Sequence, residues 1–214
     1  MIKVLRPALL VCAALIFCGS EARANSIGPT CGTCQGSIYT LDILGLAPVD
    51  LSADGSFDTY RVALSIDTSG YTGTGVRIDE VAVKISSAVD QAKLVSAPGG
   101  VGVWQLLAGG ISSGGCNGTG AGFECSDWIV GSTGGAFIPG PVMTWVFDID
   151  INGPLFSFTS ANPDLLPTIK ARYVDASDNK VGALVSETVP EPTTLGLLAV
   201  GMAVAAVRRR RVQL

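Results

Sequence analysis

Three polar residues that alternate along one segment could bind a metal ion. Asp148, Asp150 and Asn152 precede Gly153, and their spacing matches the first ligands of a calcium-binding loop. Thr159 stands where an EF-hand loop has its bidentate glutamate, so the pattern is incomplete. A polar strand face that runs into an Asn-Gly turn gives the same spacing. Both interpretations stay open, and we expect no cofactor other than calcium.

Other carboxylates and hydroxyls could support hydrolysis. Asp50, Asp54 and Asp58 form a second acidic loop that could bind calcium, and a pair of carboxylates can hydrolyse a glycosidic bond. The sequence selects no such pair. The chain has no histidine, which excludes Ser-His-Asp triads, His-metal sites and the usual general base at neutral pH. We therefore expect no catalytic residues. Three segments match catalytic or phosphate-binding motifs by letter only: residues 70–75, 110–114 and 177–180.

Four cysteines lie in the central part of the chain. Cys31 is close to Cys34, and Cys116 is close to Cys125. An even number of cysteines in an exported chain favours two disulfides, and the local pairing is preferred because each bridge closes a short loop. Crossed pairing, a zinc site made by all four thiolates, and a redox role for the Cys-Gly-Thr-Cys segment are the alternatives.

Aromatic residues could bind carbohydrate by stacking against sugar rings. Trp104, Trp128 and Tyr71 are candidates if they are exposed beside Asp and Asn side chains. The alternative is that two of the three tryptophans belong to the core. Trp145 is expected there, because it alternates with Phe147 along an apolar strand face.

The elements that must position these residues are short β-strands. Runs rich in Val, Ile, Thr and aromatic residues, separated by Gly, Asn, Asp and Pro, predict about eight strands. They cover residues 37–44, 59–66, 76–86, 101–107, 143–151, 155–159, 168–174 and 180–185. Alternating apolar and polar residues in several of them are typical of antiparallel strands with one buried face. The pattern predicts an all-β domain, an antiparallel two-sheet sandwich for which a jelly roll is one topology.

The connections between these strands are also marked in the sequence. Residues 152–153 predict a hairpin into 155–159, and residues 175–179 predict a turn between the last two strands. Residues 99–122 and 131–140 are rich in glycine and are interpreted as long loops. Residues 87–95 show a short helical periodicity.

The N-terminal segment has the pattern of a secretory signal peptide. Lys3 and Arg6 precede an apolar run at residues 8–18. Ala22 and Ala24 supply small residues for cleavage, so the exported chain is expected to begin at Asn25. Residues 1–24 are therefore assigned to the signal peptide and 25–188 to the exported domain.

The C-terminal segment, residues 189–214, carries a second signal. Pro190, Glu191 and Pro192 precede an apolar helix candidate at residues 195–207. At about 1.5 Å per residue this helix spans roughly 20 Å, which is short for a membrane core of about 30 Å. The arginines that follow would extend the reach by snorkelling and hold that end in the cytoplasm. They are Arg208, Arg209, Arg210 and Arg211.

This order of Pro-Glu-Pro, short apolar helix and arginine cluster resembles the PEP-CTERM sorting signal of exported bacterial proteins. The resemblance covers about 25 residues at the C-terminal end. It implies that an exosortase in the inner membrane recognises and processes this segment. It also implies a Gram-negative bacterium that makes exopolysaccharide, with the protein at the cell surface or in the extracellular matrix. The resemblance does not describe the function of residues 25–188.

Net charge separates the exported domain from the two ends of the chain. Residues 25–188 contain 7 basic and 16 acidic residues, a formal charge of −9, against −4 for the whole chain. This charge excludes a nucleic-acid-binding domain. We expect a non-enzymatic protein of the envelope or matrix, with a carbohydrate-binding module as the alternative. A glycoside hydrolase that uses paired carboxylates is the second alternative.

Overall fold

A computed structural model of the chain describes residues 25–112, 114–116, 120–129, 135–138 and 140–188. Eleven strands and two short 3₁₀ turns are present among these residues, and the described chain contains no α-helix. The strands are β1 (Asn25–Ile27), β2 (Ile38–Leu46), β3 (Thr59–Asp67), β4 (Arg77–Lys84), β5 (Val89–Ser96), β6 (Trp104–Ala108), β7 (Phe123–Trp128), β8 (Ala136–Phe137), β9 (Met143–Ile151), β10 (Thr168–Val174) and β11 (Lys180–Thr188).

The strands form two antiparallel sheets that enclose one core. Sheet 1 has the order β1-β2-β3-β9-β5, and sheet 2 has the order β11-β10-β4-β7-β6, with β8 also paired to β4. Trp145, Phe147 and Ile149 of β9 are buried against residues of sheet 2 such as Val81 and Ala171. The predicted all-β, two-sheet sandwich is therefore confirmed, as is the core position of Trp145.

The strand predictions differ from the structure in two ways: β1, β5, β7 and β8 were not predicted, and one predicted strand is absent. Residues 155–159 do not form a strand, because Pro154 follows the Asn152–Gly153 turn and has no N–H for a hairpin ladder. Phe156 is instead a buried anchor whose backbone N–H donates to the carbonyl of Ile85 over 2.8 Å. Residues 87–95, which show a short helical periodicity in the sequence, lie mostly in β5, an edge strand of sheet 1. By contrast, the turn predicted at 175–179 does join β10 to β11.

The end of the sandwich where the described chain stops is called the exit end. Thr188 of β11 pairs with Thr168 of β10, which in turn pairs with Lys84 at the end of β4. The backbone N–H of Asn152, just after β9, donates to the carbonyl of Ala88, just before β5, over 3.1 Å. The ends of both sheets therefore meet at this side of the domain.

The predicted signal peptide and C-terminal signal lie outside the described residues. This applies to Ala22 and Ala24, to the Pro190–Pro192 triplet, to the helix predicted at 195–207 and to Arg208–Arg211. Within the described part of the chain, no helix is long and apolar enough to cross a membrane.

Candidate functional site

The largest group of buried charges lies on the outer face of sheet 2. Arg172 pairs with Glu80, whereas Tyr173 pairs with Ile78, so Asp79 is the extra residue of a β-bulge in β4. The bulge brings two consecutive carboxylates to one guanidinium. Arg172 donates through Nε to Asp79 Oδ1 over 3.1 Å, and its Nη1 lies 2.9 Å from Glu80 Oε1.

The described residues Gly115 and Cys116 of a glycine-rich loop, residues 109–122, lie over this charged group. The Cys116–Cys125 disulfide attaches the loop to β7, and both half-cystines are buried with Ala82 and Phe123 in a small apolar cluster. Gly115 lies directly over Glu80, because a Cβ at this residue would be 2.6 Å from Glu80 Oε1. Its φ of +103° also favours glycine. The loop therefore shields the ion pairs from water.

Burial raises the pKa values of two carboxylates beneath the loop. Glu80 is only 2% exposed, and its Oε2 has no hydrogen-bond partner. Burial raises the pKa of Glu80 to about 7, with Asp79 and Asp127 adding to the rise while Arg172 opposes it. Burial also raises the pKa of Asp127, although Gln105 donates a 2.7 Å hydrogen bond to its carboxylate. The Arg172 guanidinium thus interacts with all three acids, and Lys180 adds a weaker attraction at Glu80.

The same group contains the nearest approach to a metal site in the described residues. Ligand atoms of Glu80, Cys116 and Asp127 lie within 4.8 Å of one another. The Cys116 sulfur belongs to a disulfide, so it is not a thiolate ligand. Calcium takes six to eight oxygen ligands, and two carboxylates beside Arg172 provide few of them. The arrangement fits an ion-pair cluster better than a calcium site.

A second buried glutamate lies between the sheets. Glu124 of β7 pairs with Val83 of β4, a core residue, so its side chain is on the inner face of sheet 2. Burial raises its pKa to about 7. The sequence analysis did not single out this residue.

The residues of the incomplete calcium pattern have separate partners. Arg61 holds Asp148 with two hydrogen bonds, 2.7 Å from Nε and 2.8 Å from Nη2. Thr59 Oγ1 donates to Asp150 over 2.5 Å. Asn152 is exposed in the turn after β9. The structure therefore places Asp148 and Asp150 within sheet 1 and gives each a protein donor, while calcium binding stays a prediction.

The second acidic loop packs beside Asp150. Asp50 accepts backbone hydrogen bonds from Ala53 and Gly55, and the Gly55 N–H is the main reason that its pKa is lowered. Ser52 Oγ lies 3.0 Å from Asp50 and 3.4 Å from Asp150. Burial, together with Asp150 and Asp54, raises the pKa of Asp58. Pairing of β3 with β9 brings these two acidic segments together, which the sequence analysis did not foresee.

The tryptophan candidates for sugar stacking belong mainly to the core. Trp104 is 4% exposed, donates from Nε1 to the carbonyl of Pro98 over 2.8 Å and packs edge-on against Trp145. The expectation that Trp104 is an exposed platform is therefore wrong. Trp128 packs edge-on against Trp104, and Tyr71 stacks on Tyr173 with ring centroids 4.8 Å apart.

The cysteines form the favoured local pairs. Cys31–Cys34 closes a turn between β1 and β2, and Cys116–Cys125 attaches the glycine-rich loop. Near the first disulfide, Tyr173 donates its hydroxyl hydrogen to Ser37 Oγ over 3.1 Å, and its oxygen also contacts the hydroxyl of Tyr39. The Cys-Gly-Thr-Cys segment lies in a turn and not at the N-terminus of a helix, where a thioredoxin-type cysteine is found.

Two described residues of the serine motif at 110–114, Ser112 and Gly114, lie in a hydrogen-bonded turn. Ser112 Oγ donates to the carbonyl of Gly115 over 3.3 Å and accepts from the Gly114 N–H over 3.2 Å. These contacts stabilise the loop over Glu80, which is a structural role for the motif.

Comparison with known proteins identifies the C-terminal segment. A family model described as the PEP-CTERM protein-sorting motif matches residues 188–211. The match includes the triplet Pro190, Glu191 and Pro192, the apolar residues 195–207 and the arginine cluster. It begins at Thr188, the last residue of β11.

Two further comparisons concern the chain as a whole. No curated protein matches it. Among solved structures, the sixth cohesin of scaffoldin B from Acetivibrio cellulolyticus, in complex with a mutant Cel5 dockerin, is similar to it with a TM-score of 0.32. The two are 12% identical in sequence, and the similarity covers 63% of this chain and 89% of the cohesin.

The family match and the resemblance noted in the sequence agree on the same residues. The chain is an exported protein that carries a C-terminal PEP-CTERM sorting motif, the signal that an exosortase processes.

Proposed function

We propose that this protein is a non-enzymatic component of the cell surface or extracellular matrix of a Gram-negative bacterium. An exosortase releases or transfers its folded domain from the inner membrane, and the domain then acts beside exopolysaccharide. The position of β11 carries this proposal. Its last residue, Thr188, is the first residue of the sorting motif, so the folded sandwich continues into the signal without a spacer.

The absence of a spacer has a mechanical consequence. Residues 189–194 separate β11 from the apolar segment at 195–207, and six extended residues reach about 20 Å. While the apolar segment is in the membrane, the end of β11 is held within this distance of the bilayer. Processing near Pro190–Pro192 would cut the chain in this short connection and leave every described strand intact.

The surroundings of the charged groups support a non-enzymatic domain. Asp148 is engaged by Arg61, and Asp79 and Glu80 are engaged by Arg172 beneath the glycine-rich loop. A glycoside hydrolase needs two carboxylates that reach its substrate from a cleft. These buried carboxylates are directed at cations of the fold.

Sorting is tested by replacing Pro190, Glu191 and Pro192 with alanine in the native host. We expect the variant to have the mass of a protein that still carries its C-terminal segment, and to accumulate in the inner membrane. Pro163→Ala, a proline outside the motif, is the matched control and should be processed like the parent. Normal mass and location for the triple variant would contradict the proposal.

A further inference from the structure

Four large apolar side chains are exposed in and beside the connection from β2 to β3. Leu44, Leu46, Val49 and Phe57 form what we call the apolar patch. Phe57 is 83% exposed and Leu46 is 56% exposed. Because a phenylalanine side chain is seldom left so fully in water, the patch calls for a partner.

The apolar patch lies at the exit end of the sandwich. Leu46 pairs with Tyr60, and Tyr60 pairs with Ile149 near the end of β9. The residue after β9 is hydrogen-bonded to the residue that precedes β5. Thr188 is linked through β10 to the end of β4, and β4 leads directly into β5. The patch therefore lies at the same end as the residue where the sorting motif begins.

We propose that the apolar patch rests on the surface of the lipid bilayer while the protein is anchored by its C-terminal segment. This inference rests on the proposed function, because it requires the apolar residues 195–207 to insert into the membrane. Aromatic and leucine side chains partition into the interfacial region of a bilayer. The patch is thereby removed from water until the exosortase cuts the connection.

The short connection makes a weak lipid contact sufficient. Residues 189–194 hold the exit end within about 20 Å of the bilayer. A short linker of this kind gives an effective concentration in the millimolar range, so the patch needs little affinity of its own. Processing removes this advantage, and the free domain should then leave the membrane.

Charge favours a contact with zwitterionic lipid. Asp50, Asp54 and Asp58 flank Phe57 in the same connection and would be repelled by an anionic surface. The contact is therefore driven by burial of the apolar side chains.

The opposite end of the sandwich supplies a matched control. Val142 is 58% exposed and directly precedes β9, whose other end lies at the exit end. Nine residues of β9 at about 3.3 Å each place Val142 roughly 30 Å farther from the membrane. Both side chains are exposed, so Phe57→Trp and Val142→Trp report on the two ends of the sandwich with little effect on the core.

The test reconstitutes the full chain in phosphatidylcholine vesicles whose acyl chains are brominated, since bromine quenches tryptophan fluorescence at short range. Vesicle flotation first shows whether the chain is anchored. Relative to the parent, we expect the added fluorescence of Phe57→Trp to be quenched at least twofold and that of Val142→Trp to be unchanged. A floating chain with equal quenching in both variants would overturn the lipid contact and leave the sorting proposal intact.

Two other outcomes reject the proposal for different reasons. A full chain that does not float lacks the membrane anchor, which would contradict the proposed function as well. If the fluorescence of Phe57→Trp changes only after a purified exosortase is added, the apolar patch contacts the exosortase and not the lipid.

Discussion

On the outer face of sheet 1, Asp148 lies between two cations, whereas on sheet 2 Arg172 lies among three acids. Arg61 and Lys93 stand opposite Asp148 on the neighbouring strands. On sheet 2, Asp79, Glu80 and Asp127 surround one guanidinium beneath a disulfide-linked loop. Both faces bury carboxylates, but two cations stand opposite Asp148, whereas three acids face the single guanidinium of Arg172. A buried excess of acid can persist when a carboxyl keeps its proton, and the raised pKa of Glu80 has this effect.

The largest expected effect on the free energy of unfolding comes from removing the arginine at the centre of each face. Arg172→Met leaves two buried carboxylates without a cation and should lower the free energy of unfolding by about 3–5 kcal/mol. Arg61→Met should lower it by about 1.5–3 kcal/mol, because Arg61 is partly exposed and water can replace it at Asp148. Urea denaturation at pH 7 measures both values. Equal losses would show that the covering loop has no energetic effect.

The pH dependence of stability should come mainly from the covered face and from Glu124. In the unfolded chain Glu80 releases its proton near pH 4.5, whereas in the folded chain it keeps the proton until about pH 7. The folded state therefore binds more protons within this window, and stability falls as the pH rises through it, by about 2–3 kcal/mol for Glu80.

Variants can separate the two glutamates in this window. Glu80→Gln should remove part of the slope between pH 4.5 and 7, and adding Glu124→Gln should remove more, because burial also raises the pKa of Glu124 to about 7. Asp67→Asn is the control, since the Ser69 N–H lowers the pKa of Asp67 and places its titration below this window. An unchanged slope in Glu80→Gln would reject the protonated glutamate.

Removing the disulfide that holds the glycine-rich loop should let water reach the outer face of sheet 2, as it already reaches the outer face of sheet 1. Replacing Cys116 and Cys125 by serine should lower the free energy of unfolding by about 2–3 kcal/mol through loop entropy. Water should then reach Glu80, so the slope between pH 4.5 and 7 should also decrease. A variant that lost stability at all pH values equally would show that the disulfide does not control the hydration of Glu80.

The smallest effect concerns the contact between the loop and Glu80. Gly115→Ala places a methyl group 2.6 Å from Glu80 Oε1 at a φ of +103°, and should cost about 1–2 kcal/mol. Gly102→Ala is the control, because nothing lies within 4 Å of its Cβ position, and it should change stability by less than about 0.5 kcal/mol. Thermal denaturation compares the two substitutions.

The sequence predicts strands such as β4 and β9 well but misses the edge strand β5 and the interior strand β7. Along β9, apolar residues alternate with polar ones because one face meets the core. In β7 the alternation is misleading, since Glu124 and Ser126 face inward while Phe123 and Cys125 pack under the loop. In β5, irregular pairing near both ends interrupts the period of two.

Local sequence patterns could not predict the charged site around Arg172. Arg172 and Asp79 are 93 residues apart, and their contact depends on a bulge in β4 and on the register of β10. The cysteine pairs were easier to predict, because each joins residues that are close in the chain. Sorting was the most predictable property, since the motif at 188–211 is a continuous segment that acts through its own residues.

The central claim is that a disulfide-linked sandwich is exported, held by its C-terminal signal and then separated from it. Intact-mass analysis of the protein recovered from the native host tests this claim most directly. We predict a chain that begins at Asn25, ends near Pro190–Pro192 and has Cys31, Cys34, Cys116 and Cys125 all oxidised. A mature protein that retains residues 193–214 would contradict it.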